Sequence, residues 1–345
     1  MSIINIFRND AFSEIALTST VERIPHLPTA LGEYGTDLFN DNPIRTTALA
    51  VEERDGILSV VPMSQRGQPT SDERTTERRK MRYFDVPRIF KGDTIHASEL
   101  QGIREFGQES VFMQVQAEVA RRLAGPTGIL ATLDYTEEFQ RLAMIQGLLL
   151  DKDGSVWYDW FDEFQIAVPG EVPFNLAANE EFSLRPIINQ LVRSMARSSK
   201  GAMTAMSRVT AYCGDDFYDK FTNHIDVVKT YQNWSAAAEL REGGAFEKFP
   251  FGGVDWVNYR GSDDNSSIKV PDDKVKFFPI RAPGVFERAL APGESFEWIN
   301  TPGKERYVIP IFDRDRNAWW RQEAYAYPLY ICKRPEVLRT GKIGA

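Results

Sequence analysis

The sequence predicts a mixed α+β protein that carries a projecting hairpin and a weakly supported N-terminal arm. Three observations point to it. Short runs of alternating apolar and polar residues, the period of a half-buried strand, recur from about residue 56 to the C-terminus. Between them lie stretches with apolar residues at helical spacing, notably residues 108–124 and 184–199. A long polar stretch, residues 64–82, separates two strand-like runs where a compact domain ordinarily has a short turn.

In chain order, residues 1–50 contain two weak helical starts interrupted by Pro25, Pro28, Pro43, Gly32 and Gly35, an extended arm that needs neighbours to hold it. Residues 56–61 alternate as a strand. The polar stretch follows, and a second extended run passes through Tyr83, Phe84, Val86, Ile89 and Phe90. Two strands joined by a polar tip make the hairpin. The tip sets Arg66, Arg74, Arg78, Arg79, Lys80 and Arg82 against Asp72, Glu73 and Glu77, a local cationic surplus on an acidic chain. A solvated loop explains such a run, and so does a hairpin reaching onto an acidic neighbour.

Ser98 and Gln101 form a capping-box pattern that opens a short helix ending at Gly107. A longer helix, residues 108–124, aligns Val111, Phe112, Val115, Val119 and Leu123 and stops at Gly125-Pro126. Another, residues 135–148, leads to the turn Asp151-Lys152-Asp153-Gly154, which joins residues 148–150 and 156–166 as a hairpin. From Phe182 a helix over 184–199, a strand over 208–212 and short helices between Asp215 and Tyr231 imply a second α/β layer. Strands are expected at 254–259, 274–280 and 307–312, a surface loop at 261–267, and an extended stretch at 324–331.

At 345 residues, 42% hydrophobic and 12% aromatic, the chain can bury a sizeable core and has room for two or three domains. Its net charge of −8 is well mixed, so any contact with nucleic acid is expected to be weak and non-specific. Cys213 and Cys332 have no paired spacing, and both are read as reduced thiols in a cytoplasmic setting. The first residues lack the pattern of a signal peptide, and no apolar run is long enough to span a bilayer, so no membrane contact is expected.

The search for chemistry finds little. There is no Gly-x4-Gly-Lys-Ser/Thr loop, and His26, His96 and His224 stand apart with no metal-ligand spacing, so neither a catalytic residue, a cofactor nor a metal is assigned. Asp151-Lys152-Asp153-Gly154 lacks the later ligands of a calcium loop. The run Trp157 to Phe164 places Asp159, Asp162 and Glu163 among aromatics, as a glycosidase cleft does. Read as a strand, it mixes acid and aromatic on both faces, which suits a protein contact better.

Several segments together resemble the lambda-type phage major capsid protein E family. They include Ile95 to Gly107, Leu148 to Gly154, Tyr212-Cys213-Gly214-Asp215-Asp216-Phe217-Tyr218, Phe251 to Gly261, Asn300-Thr301-Pro302-Gly303 and Pro328 to Pro335. Their order spans residues 85–338; the first 85 match only in style. The resemblance implies the capsid fold of tailed phages and herpesviruses. Residues 1–52 would be its N-terminal arm, 53–90 the E-loop, 91–180 the peripheral domain with its spine helix and 181–320 the axial domain. Residues 321–345 would return to the peripheral domain. It implies a non-enzymatic subunit that self-assembles into pentamers and hexamers around double-stranded DNA. Scaffold, portal and decoration proteins would be partners, with assembly in the host cytoplasm and residence in the virion capsid. Arg74, Arg78, Arg79, Lys80, Arg82, Phe84, Val86 and Ile89 are the expected inter-subunit contacts. An encapsulin-like compartment shell and a carbohydrate-active enzyme are the alternatives.

Overall fold

The computed structural model describes residues 30–55, 78–100, 111–125, 128–232, 248–259, 270–316 and 318–344. The expected strand at 56–61, the end of the short helix at Gly107 and the loop at 261–267 lie outside them. In chain order the elements begin with β1 (Asn40–Pro43), β2 (Ala48–Asp55), β3 (Arg78–Asp85), β4 (Ile89–His96) and α1 (Ala97–Leu100). Then come α2 (Val111–Ala124), α3 (Ile129–Met144), β5 (Leu148–Leu150), β6 (Val156–Asp159), α4 (Trp160–Glu163) and β7 (Val172–Pro173). The third group is α5 (Leu184–Ser198), β8 (Arg208–Cys213), α6 (Asp215–Thr222), α7 (Ile225–Gln232), β9 (Phe249–Phe251) and β10 (Val254–Asn258). The chain ends with β11 (Lys274–Ile280), β12 (Phe286–Leu290), β13 (Tyr307–Phe312), β14 (Trp319–Ala326), β15 (Pro328–Cys332) and β16 (Arg339–Lys342).

A six-stranded mixed sheet, ordered β7-β16-β11-β8-β10-β9, organises one half. Its centre is aromatic: Trp256 stacks on Phe221 at 3.9 Å between centroids, and Phe174 stacks on Phe277 at 5.9 Å. Leu184, Ile188, Leu191 and Met195, one face of α5 at helical spacing, are buried in this core. The Asp226 carboxylate of α7 accepts from the Phe182 and Leu184 amides at 2.6 and 3.0 Å, satisfying donors that the start of α5 leaves free.

The other half is built from two three-stranded sheets. In β13-β14-β4 all pairings are antiparallel, and Val119, Leu123, Leu130 and Leu133 of α2 and α3 pack on Ile95, Val308, Trp320 and Ala324. In β1-β12-β15 the short β1 runs parallel to β12 and places Asn40 beside Glu287. The final residues divide among three sheets: β14 pairs with β4, β15 with β12, and β16 with β11. Among the described residues no helix is long and apolar enough to cross a membrane.

Four expectations change. The arm is not unsupported over residues 31–43, because Leu31, Leu38 and Phe39 are buried in the chain's own core. The extended run from Tyr83 to Phe90 is two strands in two sheets, broken at Pro87, which has no amide to donate to a ladder. The helix expected at 135–148 starts earlier, at Ile129, and ends at Met144. Gly147 then turns the chain at φ +83°, where a Cβ would lie 2.3 Å from the Phe161 ring. The strand expected to run through 156–166 stops at Asp159, whose carboxylate accepts from the Phe161 and Asp162 amides and caps α4.

Candidate assembly surfaces

β2 and β3 form a two-stranded antiparallel ribbon with Leu49 opposite Phe84, Ala50 opposite Tyr83, Val51 opposite Arg82 and Glu52 opposite Met81. Strand alternation divides it into two faces. On the inner face Leu49, Val51 and Phe84 are buried; on the outer face Ala50 and Glu52 are exposed beside Met81 and Tyr83, which are 56% and 68% exposed. The inner face sits in an aromatic socket. Phe84 packs edge-on against Tyr158, Trp160 and Phe164 at 5.5, 5.3 and 6.0 Å between centroids. Arg82 donates to the Glu163 carbonyl and lies over the Phe164 ring. At the ribbon's base the Asp85 amide donates to the Tyr158 hydroxyl at 3.0 Å, and the Val86 amide to the Thr47 carbonyl at 3.1 Å.

These contacts sort the expected interface residues. Arg74 lies outside the described residues. Arg78 and Arg79 pair along the ribbon with Asp55 and Arg54, though their side chains are not described, and Lys80 is exposed. Arg82 and Phe84 make contacts within the chain that anchor the ribbon, and Phe84 is only 2% exposed. Val86 and Ile89 are half-buried against the chain's own core clusters. The same geometry revises the carboxylates. Asp159 is a helix cap and Glu163 offers its backbone to Arg82, so the three acids do not alternate along a strand as expected.

Sequence reasoning missed a buried ionic cluster beneath residues 31–43. On α3, Glu137, Glu138 and Arg141 are one, five and two per cent exposed at their side chains, with Arg141 bonded to both acids at 3.1 and 3.3 Å. Arg306 reaches Glu137 and, at 2.5 Å, Asp134; Tyr330 of β15 donates to Glu137 at 2.6 Å. Arg288 of β12 grips Asp41 of β1 through two bonds of 2.7 Å. Glu138 accepts the Leu31 amide at 2.7 Å and the Tyr259 hydroxyl at 3.3 Å. Burial pushes the Glu137 carboxyl up, yet Arg306, Arg141 and Arg288 outweigh it and hold the group at about 2. The cluster is therefore a strap fastening: it fixes the start of the described chain to α3 and β12. The available signal was the Glu137/Glu138-to-Arg141 spacing inside a largely apolar helix.

Further apolar surface faces solvent elsewhere. Phe90, Tyr135 and Trp157 are exposed around a groove of about 730 Å³ between β4, α3 and the β5-β6 hairpin. Phe296 is 95% exposed on a turn whose Trp298 is buried against Tyr307. Apolar surface on this scale marks contact sites.

The chain thus combines a ribbon held at its base, a strapped N-terminal segment and mixed sheets joined by helices. Over 96% of this chain and 99% of the other, the fold is similar to that of a capsid protein from a prophage of E. coli CFT073, with a TM-score of 0.58 at 12% identity. It is also similar to the capsid of cyanophage P-SCSP1u, with a TM-score of 0.52 at 10% identity over 93% and 90% of the two chains. In sequence the chain is 26% identical over 328 residues to the major capsid protein of Pseudomonas phage KPP10, covering 88% of this chain and 89% of that one. It is 25% identical over 352 residues to the major capsid protein of Salmonella phage Felix O1, covering 93% and 94%. The family described as phage major capsid protein E matches residues 15–343, and the chain belongs to that family. It is a major capsid protein of a tailed phage, a structural subunit that associates with itself to form the virion capsid.

Proposed function

We propose that this subunit assembles head to tail into pentamers and hexamers, which close an icosahedral head around double-stranded DNA. The observation that carries this reading is the ribbon's two-faced construction. Its inner face is locked into the aromatic socket, while its outer face presents the exposed side chains of Met81 and Tyr83. A heterologous contact made by such a projection repeats around a ring and closes it. In this reading residues 1–52 act as the arm, 53–90 as the E-loop, 91–180 as the peripheral domain and 181–320 as the axial domain, with 321–345 returning to the peripheral domain.

Each ribbon lies over the adjacent subunit. Arg74, Arg78, Arg79 and Lys80 supply charged contacts there, and the apolar surface flanking Val86 and Ile89 supports them. Exposed pairs contribute only about 0 to 1 kcal/mol each, so the charges tune assembly and apolar burial drives it. Scaffold, portal and decoration proteins complete the particle, and assembly proceeds in the host cytoplasm without any catalytic step by this chain. Reversing both Arg78 and Arg79 to glutamate is expected to abolish or distort shells seen by negative-stain microscopy while leaving the circular dichroism spectrum unchanged. Normal shells from that variant would remove these residues from the interface.

A further inference from the structure

One segment of this acidic chain has the opposite charge. Residues 184–200 hold Arg185, Arg193, Arg197 and Lys200 and neither Asp nor Glu, on a chain of net charge −8. They lie on α5 and just beyond it, on the side away from the buried Leu184, Ile188, Leu191 and Met195. All four cationic residues are exposed, and so are Asn189 and Gln190 between them. A step of four residues from Arg185 through Asn189 and Arg193 to Arg197 makes one slightly inclined row. Its members are about 6 Å apart along the axis, and it is about 18 Å from end to end.

Helix stability does not account for this row. Arg197, in the last turn, complements the helix dipole, but Arg185 sits in the first turn, where a cation opposes it and the offset is the Asp226 carboxylate that caps the helix from α7. Arg185 does hold its guanidinium over the Phe251 ring, a packing role for part of its charged head. Arg193 and Arg197 have no ion-pair partner among the described residues. Arg339 of β16 adds a half-buried guanidinium, donating to Ser194 and Ser198 at 3.1 and 2.9 Å, with Glu336 as the acid nearest to it.

The chemistry of the row favours a polyanion over another protein. Protein interfaces are centred on buried aromatic or aliphatic anchors, and no large apolar side chain is exposed along residues 185–200. Guanidinium and amide groups in a row, with polar neighbours, are what contact phosphate oxygens without reading base sequence. We propose that the outer row of α5 binds the phosphate backbone of duplex DNA, and that this face of the subunit lines the interior of the shell. The inference rests on the reading of the chain as the wall of a DNA-filled head, and it adds the direction in which the wall faces. It also explains how a chain that repels DNA overall can meet it weakly at one place.

The test uses the full-length unassembled chain and a fluorescein-labelled 30-base-pair duplex, with binding followed by anisotropy as salt is raised. Each phosphate contact contributes about 0.9 to the slope of log affinity against log salt. Changing Arg193→Gln and Arg197→Gln together should lower that slope by about 2, whereas Arg193→Lys with Arg197→Lys should keep it. The idea fails if the glutamine pair binds with the wild-type slope, or if the wild-type chain shows no salt-dependent binding. Negative-stain microscopy of the same preparations separates the two levels. If the glutamine pair loses shells while keeping its DNA slope, the row is a subunit contact and the inference is wrong. If wild-type chains form no shells, the assembly reading falls whatever the slope shows.

Discussion

Glu137 is the residue on which the buried cluster turns, because it meets Arg141, Arg288, Arg306 and Tyr330 together. Replacing it with glutamine keeps the shape and leaves three guanidinium groups short of a buried counter-charge. Breaking such a cluster from one side costs about 3 to 5 kcal/mol. Glu137→Gln should therefore lower the urea midpoint of the unassembled chain by that equivalent without changing its slope; a midpoint shift worth under about 1 kcal/mol would mean that the arginines are held by other partners. The same residue sets a pH dependence. Its folded value of about 2 lies below the ordinary 4.5, so its contribution is fully present above pH 4.5 and is lost as pH falls toward 2. The span corresponds to about 3 kcal/mol. Glu137→Gln should flatten that part of the acid-stability curve.

The ribbon shows how one element can carry two separable functions. Phe84 faces the socket and Tyr83, its neighbour, faces out, so the pleat assigns adjacent residues to folding and to assembly. Phe84→Ala removes a buried aromatic at a cost of about 3 to 5 kcal/mol and should lower the melting temperature of the unassembled chain. Met81→Asp with Tyr83→Asp should leave that temperature within a degree or two and prevent shells from forming. Equal thermal losses in both variants would refute the two-faced reading. The contrast of polar and apolar stretches made a hairpin legible but misplaced its strands: they were expected at 56–61 and 83–90, whereas the ribbon pairs 48–55 with 78–85; β11 and β13 were legible at their observed limits. It did not show the socket that buries Phe84. Period two says that neighbours face opposite ways but not which face has a socket, and the socket comes from residues 158–164, more than 70 positions on. Trp160–Glu163 was hidden by its aromatics, which read as strand until the Asp159 cap is placed. The strap was hidden because its partners Arg288 and Arg306 lie far along the chain.

At the scale of the whole molecule the two halves are held by different forces. The six-stranded half is closed by Phe174, Phe217, Phe221, Trp256 and Phe277, whose packing is insensitive to acid. The half that holds β1 adds charge to an apolar core that includes Leu31, Leu38 and Phe39: Asp41 on Arg288, Glu138 on the Leu31 amide, and Glu137 among three arginines. Beyond these bonds, β1 is an edge strand of four residues, paired only to β12 among the described strands. Acid should therefore release the strap before it opens the aromatic half, and hydrogen exchange can resolve the order. At pH 3, peptides covering residues 31–43 and 286–290 should exchange much faster than at pH 7 after correction for the intrinsic rate, while peptides covering 208–213 and 254–258 stay protected. Uniform loss of protection across all four would show one cooperative unit, and the strap would then be no weaker than the sheet. If the order holds, the N-terminal segment can be loosened on a subunit whose six-stranded half stays folded, as the proposed fit of one sequence into both pentamers and hexamers requires.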